Sequence, residues 1–194
     1  MIAIIDYDAG NVKSVQNALK KLGFEAVITS DIETIRNADK VIFPGVGEAS
    51  SAMKKLQERG LDVIIPNLKQ PVLGICLGMQ LMCNASEEGK TKALGIFDCE
   101  VKLFPNSDIV PHMGWNNVSK MKGKLLENIS EIDNLYFVHS YYAEIGENTT
   151  SVCDYITPFS ATLEKDNFYA AQFHPEKSGD AGFKLLENFL NLRF

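Results

Sequence analysis

The sequence predicts an α/β fold: a mainly parallel central sheet with helices on both faces and an antiparallel extension. Three observations predict it. The first half alternates short β-branched runs with stretches of helical period. Those runs are apolar throughout rather than alternating, as strands covered on both faces are. In the second half, closely spaced strand candidates replace most of the helical patterns, which calls for antiparallel pairing.

Ile2–Asp6 is the first strand, and Val12–Leu22 follows as a helix with Val12, Val15, Leu19 and Leu22 on one face. Gly23 ends it. Glu25–Thr29 is a strand, residues 31–37 form a short polar helix, and Lys40–Phe43 is a strand running into Pro44-Gly45-Val46-Gly47. Helical patterns occupy Ala49–Arg59 and Leu61–Leu68. Pro71–Ile75 is a fourth apolar strand, with a helix starting at Leu77. Further strands are expected near Cys99–Phe104, Asn116–Val118, Leu135–His139, Ser151–Tyr155, Ser160–Glu164 and Phe168–Phe173, and Gly182–Leu192 closes as a helix. Right-handed crossovers are expected between the parallel strands.

The length, 194 residues, fits one domain spanning 1–194. With 45% hydrophobic and 23% charged residues, a disordered chain is excluded. A net charge of −6 argues against nucleic acid as the main partner, because affinity for phosphate backbones comes from clustered Lys and Arg. The four cysteines, at 76, 83, 99 and 153, form no CxxC pair and give neither a disulfide framework nor zinc spacing, so no metal and no cofactor is expected. The N-terminus lacks the pattern of a signal peptide, and no apolar run reaches the roughly 20 residues needed to cross a bilayer. A cytoplasmic protein with reduced thiols and no membrane contact is expected.

Gly74-Ile75-Cys76-Leu77-Gly78 sits where an apolar strand meets a helical pattern. This is the thiol version of the G-x-S-x-G elbow, whose tight turn forces the central residue into a strained conformation and exposes it at the carboxyl end of the sheet. The helix N-terminus beside the sulfur favours its anionic form. The free N–H of Leu77 can face a developing oxyanion. Cys83, Cys99 and Cys153 read as core or strand residues.

A thiol nucleophile needs an imidazole to take and return its proton, and the imidazole needs a carboxylate to fix its tautomer. His174-Pro175-Glu176, at the end of a strand, can supply both. Only His112 and His139 compete. His139 also follows an apolar strand, whereas His112 sits in a Pro-flanked segment and reads as a loop contact residue. At the end of the third strand, the Val46-Gly47 loop can turn N–H groups toward a negative charge.

Together these motifs resemble the class-I, triad-type glutamine amidotransferases, over essentially the whole chain. The resemblance implies that family's flavodoxin-like sheet and a Cys76–His174–Glu176 triad that releases ammonia from glutamine through a γ-glutamyl thioester. It places the oxyanion hole at Val46, Gly47 and Leu77. It assigns substrate contacts to Gly45, Gln80, His139, Ser140 and Tyr141.

Within the family the chain is most similar to the glutaminase subunits of imidazole glycerol phosphate synthases, which serve histidine biosynthesis. Ile5-Asp6-Tyr7 with Gly10-Asn11 and Ser14, Pro44–Gly47, Pro111–Asn116 and Phe137–Tyr141 carry that likeness. Asp8 departs from it, standing where the opening motif has Gly. The resemblance implies a heterodimer with a (β/α)₈-barrel cyclase, through which ammonia reaches a ribonucleotide acceptor. Asn11, Trp115, Asn116 and Tyr141 are the expected partner contacts. The 18 residues after Glu176 suffice for one helix, so the acceptor site is expected on a separate chain. Two other readings share the motifs: a paralogous amidotransferase serving surface-sugar biosynthesis, and a stand-alone γ-glutamyl hydrolase.

Overall fold

A computed structural model of the chain describes residues 1–193. The central sheet is built from β1 (Ile2–Ile5), β2 (Ala26–Thr29), β3 (Lys40–Gly45), β4 (Val72–Cys76), β11 (Thr149–Asp154), β12 (Pro158–Lys165) and β13 (Phe168–Ala171). Their order is β11-β12-β13-β4-β3-β1-β2. The five strands from β13 to β2 are parallel, and β12 and β11 add an antiparallel edge. The predicted sheet and its extension are thus one continuous surface.

The helices are α1 (Val12–Lys21), α2 (Ile32–Arg36), α3 (Ala49–Glu58), α4 (Leu61–Ile64), α5 (Leu77–Leu81) and α6 (Gly179–Leu190). They divide between the two faces, and the strands show why. Side chains alternate along a strand. Ile2 and Ile4 join Ile42, Leu73 and Ile75 under Val15, Leu19, Leu185 and Phe189 of α1 and α6. Ala3 and Ile5 join Val41, Phe43 and Val72 under Met53, Leu56, Met79 and Leu81 of α3 and α5. Two cores result, so the strands had to be apolar on both faces.

Several boundaries differ from expectation. The pattern over Leu61–Leu68 breaks into α4 and a 3-10 turn at Ile65–Asn67, where Pro66 removes a donor. The strand expected at Asn116–Val118 lies earlier, as β8 (His112–Asn116), paired with β9 (Leu135–His139). The Asn117 N–H turns back to Asn116 Oδ1 (2.9 Å) and ends the ladder there. His112 is therefore a buried strand residue, not a loop contact. The segment joining β8 to β9, residues 117–134, is too long for a hairpin. Short strands β5 (Ala85–Ser86), β6 (Thr91–Lys92), β7 (Glu100–Leu103) and β10 (Tyr141–Ala143) form a small sheet over the carboxyl edge of the main one.

Candidate active site

Strand β4 ends at Cys76, whose backbone takes φ 54° and ψ −111° before α5 begins at Leu77. Such a conformation is costly for a residue with a Cβ and persists only where its surroundings impose it. Here α5 presses against β3: a Cβ on Gly78 would sit 1.9 Å from the Phe43 carbonyl oxygen. Only glycine permits that approach. The turn leaves the Leu77 N–H, the first of its helix, without an intrahelical partner. Cys76 is 7% exposed; its sulfur lies 3.8 Å from Gln172 Nε2 and 3.9 Å from the Val138 carbonyl oxygen.

β13 runs beside β4, and the chain beyond it brings His174 to the same rim. Its backbone N–H donates to Tyr136 O (2.9 Å), and its carbonyl accepts from Ser178 Oγ (2.7 Å). Pro175 opens a 3-10 turn that swings Glu176 back under the ring. His174 Nδ1 is 2.9 Å from Glu176 Oε1, and neither side chain is more than 3% exposed. Burial alone would lower the His174 pKa. Hydrogen bonding to Cys76 and to Glu176, with their charges, outweighs it and raises the value to about 10. With Nδ1 on the carboxylate, Nε2 is the nitrogen left for the sulfur.

Cys76 and His174 open on a cavity of about 330 Å³, large enough for an amino acid. Val46, Gly47 and Leu77 form one wall, and Gln80, His139, Ser140 and Tyr141 line it too. Gly47 has φ +106°, a conformation that favours glycine. Gly45 does not reach the cavity; it is buried opposite Cys76 in the β3–β4 register. Asn11 stands at the N-cap position of α1, without a side-chain capping bond, and does not line the cavity. Trp115 and Asn116 lie on β8 outside it, Trp115 being 58% exposed. Asp8 has φ +61°, which explains why glycine suits that position, and its carboxylate pairs with Arg59. Aspartate tolerates this backbone better than most residues.

Two residues at the site escape the sequence reading. Among the described residues, Glu88 is the one acidic residue lining the cavity. Its Oε2 accepts from the Ala49 N–H (2.8 Å), and burial pushes its pKa upward against that bond. Locally, Glu87-Glu88-Gly89-Lys90 resembles any surface turn. Gln172 is fully buried and accepts from Gln80 Nε2 (2.9 Å). The available signal was a polar residue inside the apolar run before His174. Gln80 Nε2 also donates to Tyr141 O (2.8 Å), so its own carbonyl oxygen is the group left for a ligand.

A sequence model of the class-I glutamine amidotransferases matches residues 3–192. The chain belongs to that family. This amidotransferase is 58% identical to imidazole glycerol phosphate synthase subunit HisH of Bacteroides fragilis, covering 98% of this chain and 99% of the relative. It is 46% identical to the subunit of the same name from Vibrio parahaemolyticus, covering 98% of each. A solved glutamine amidotransferase superposes with a TM-score of 0.75 at 19% identity, over 98% of this chain and 97% of that one. PurLQS of Thermotoga maritima gives 0.73 at 16%, with the same coverage. These two likenesses show the amidotransferase to have the family's fold. Among the described residues, no helix is long and apolar enough to cross a membrane, and no group of His, Cys, Asp and Glu side chains could hold a metal ion.

Proposed function

We propose that this amidotransferase is the glutaminase subunit of an imidazole glycerol phosphate synthase, one domain over 1–194, acting in the cytoplasm. One observation carries the chemistry: a cysteine on a strained elbow shares a cavity with an imidazole whose far nitrogen is bonded to a buried carboxylate. The naming of the full-length relatives supports the choice of synthase, and neither alternative reading draws comparable support.

Glutamine carries an ammonium, a carboxylate and a side-chain amide. The Glu88 carboxylate and the Gln80 carbonyl oxygen suit the ammonium. The amide carbon then lies within reach of Cys76. The sulfur attacks it, and the carbonyl oxygen becomes an oxyanion held by the N–H groups of Leu77 and the Val46–Gly47 loop. Collapse breaks the C–N bond, His174 gives its proton to the departing nitrogen, and ammonia leaves a γ-glutamyl thioester. His174 then takes a proton from water, whose oxygen attacks the thioester and releases glutamate. Glu176 keeps the ring in place and favours its cationic form throughout.

The ammonia needs a protected route to an acceptor. We assign that role to a barrel cyclase seated on the face bearing Met113 and Trp115, both largely exposed. They alternate with buried His112 along β8, and Pro111, just before it, lines the cavity. Asn11, Asn116 and Tyr141 complete the proposed contact. Exposed aromatics of this kind are frequent interface anchors.

The test is a glutaminase assay with and without the barrel cyclase. Cys76→Ala should abolish glutamine hydrolysis while leaving synthase turnover from added ammonium intact. Full hydrolysis by Cys76→Ala would remove the nucleophile assignment.

A further inference from the structure

The segments Pro111–Asn116 and Phe137–Tyr141 meet in the fold. β8 and β9 run antiparallel with His112 directly opposite His139, and both residues are buried. Their ring nitrogens form a chain whose direction can be assigned. His139 Nδ1 lies 2.7 Å from the Tyr141 carbonyl oxygen. A carbonyl can only accept, so Nδ1 carries the proton and Nε2 of the neutral ring is an acceptor. That Nε2 is 3.1 Å from His112 Nδ1, so His112 is also protonated at Nδ1. His112 Nε2 then accepts, and the Asn116 amide nitrogen stands 3.4 Å away.

Each assignment follows from the one before, given neutral rings. The surroundings keep them neutral: burial lowers the His112 pKa to about 4 and that of His139 to about 3. The Tyr141 carbonyl works against that shift in His139, while His112 and His174 add to it. The His112 ring is stacked between Tyr155 (centroids 4.1 Å apart) and Phe137 (4.8 Å), which fixes its plane.

The Tyr141 carbonyl that receives the His139 proton also receives Gln80 Nε2, 2.8 Å away. Gln80 in turn holds Gln172, whose amide nitrogen approaches Cys76 Sγ at 3.8 Å. One run of donors and acceptors therefore leads from Asn116 to the nucleophile. His112 sits within it without lining the cavity.

We propose that His112 is a positioning residue for glutamine. Its Nδ1–H holds His139 in the tautomer that anchors the Tyr141 carbonyl, and that carbonyl fixes the Gln80 carboxamide at the cavity wall. The inference rests on the glutamine reading of the cavity. It accounts for the two segments together: each supplies one histidine of the pair.

The test is steady-state glutaminase kinetics of the chain complexed with its barrel cyclase. His112→Phe keeps a stacked ring and removes the donor. His112→Asn gives up stacking but restores an N–H near the Nδ1 position. The Phe variant should raise KM for glutamine about three- to tenfold, the loss of one hydrogen bond, with kcat within about twofold of wild type. The Asn variant should return KM to within about twofold of wild type. In a Gln80→Ala background the Phe change should add nothing, because it acts through Gln80. Where the Phe variant does not fold by circular dichroism, His112→Met replaces it as the donor-free side chain. An unchanged KM in the donor-free variant, an Asn variant worse than that variant, or a full effect without Gln80 would each overturn the proposal. A wild-type complex without glutaminase activity would instead overturn the glutamine reading itself.

Discussion

His174 Nδ1 and Glu176 Oε1 stand 2.9 Å apart, two residues apart in sequence, with both side chains sealed from solvent. The short 3-10 turn that joins them makes the pairing local in sequence, and the His174 N–H bond to Tyr136 O ties that turn to β9. Removing the charge while keeping the shape isolates its role. Glu176→Gln should lower kcat by about 10²–10⁴-fold with little change in KM, as expected when a ring loses its orienting carboxylate. The His174 pKa should fall from about 10 toward the ordinary imidazole range. Histidine NMR titration alongside turnover assays checks both; an unchanged titration would show that Glu176 does not govern the ring.

Glu88→Gln keeps an acceptor for the Ala49 N–H but removes the carboxylate charge from the cavity wall. KM for glutamine should rise about 10- to 100-fold, in line with the loss of a charged hydrogen bond, with a smaller change in kcat. Equal KM values for variant and wild type would place the substrate ammonium elsewhere.

Gly78→Ala should disable the elbow. Its Cβ would require 1.9 Å from Phe43 O, so α5 must move and carry Cys76 with it. A loss of about 1–3 kcal/mol is expected for overpacking of this kind, with activity lost along with stability. Denaturant melts of the variant and wild type measure it.

Stability should fall on the acid side. Folded His112 and His139 titrate near 4 and 3, whereas unfolded imidazoles bind a proton near about 6.5. As pH falls from about 6.5 to 4, the unfolded chain takes up protons that these folded rings refuse, so unfolding becomes easier. His174 acts in the opposite sense. Its raised pKa contributes stability in full below about 6.5, and that contribution is lost as pH rises through about 10. Melting temperatures across this range should therefore drop toward pH 4, and less steeply in His112→Phe. An identical acid slope in both proteins would contradict the assignment.

Trp115→Ala should leave the isolated chain as stable as before, because the side chain is largely exposed. Affinity for the proposed barrel cyclase should fall by about 30-fold or more, as truncating an anchor does. Titration calorimetry against the cyclase reads this directly.

The elbow and the His-Pro-Glu turn were legible because their geometry is written in adjacent residues. Gly74 and Gly78 bracket Cys76, and Pro175 sits between His174 and Glu176. The alternation of strand and helix was legible for a related reason: strands buried on both faces have no polar period. Glu88 and Gln172 were hidden because their roles come from tertiary proximity. Glu88 reaches the cavity only because β5 and β6 fold over the sheet edge, and strands of two residues leave no periodic signal. β8 lies earlier than expected because its limits are set by its partner β9, and the long connection between them hides the pairing from local sequence.

Ammonia release turns on a covalent bond between Cys76 and the substrate. Rapid mixing of the cyclase complex with glutamine, an acid quench and peptide mass spectrometry would detect it. A γ-glutamyl adduct should appear only on the peptide bearing Cys76 and disappear as glutamate forms. Hydrolysis at the wild-type rate with no adduct on that peptide, or with the adduct on another residue, would contradict it.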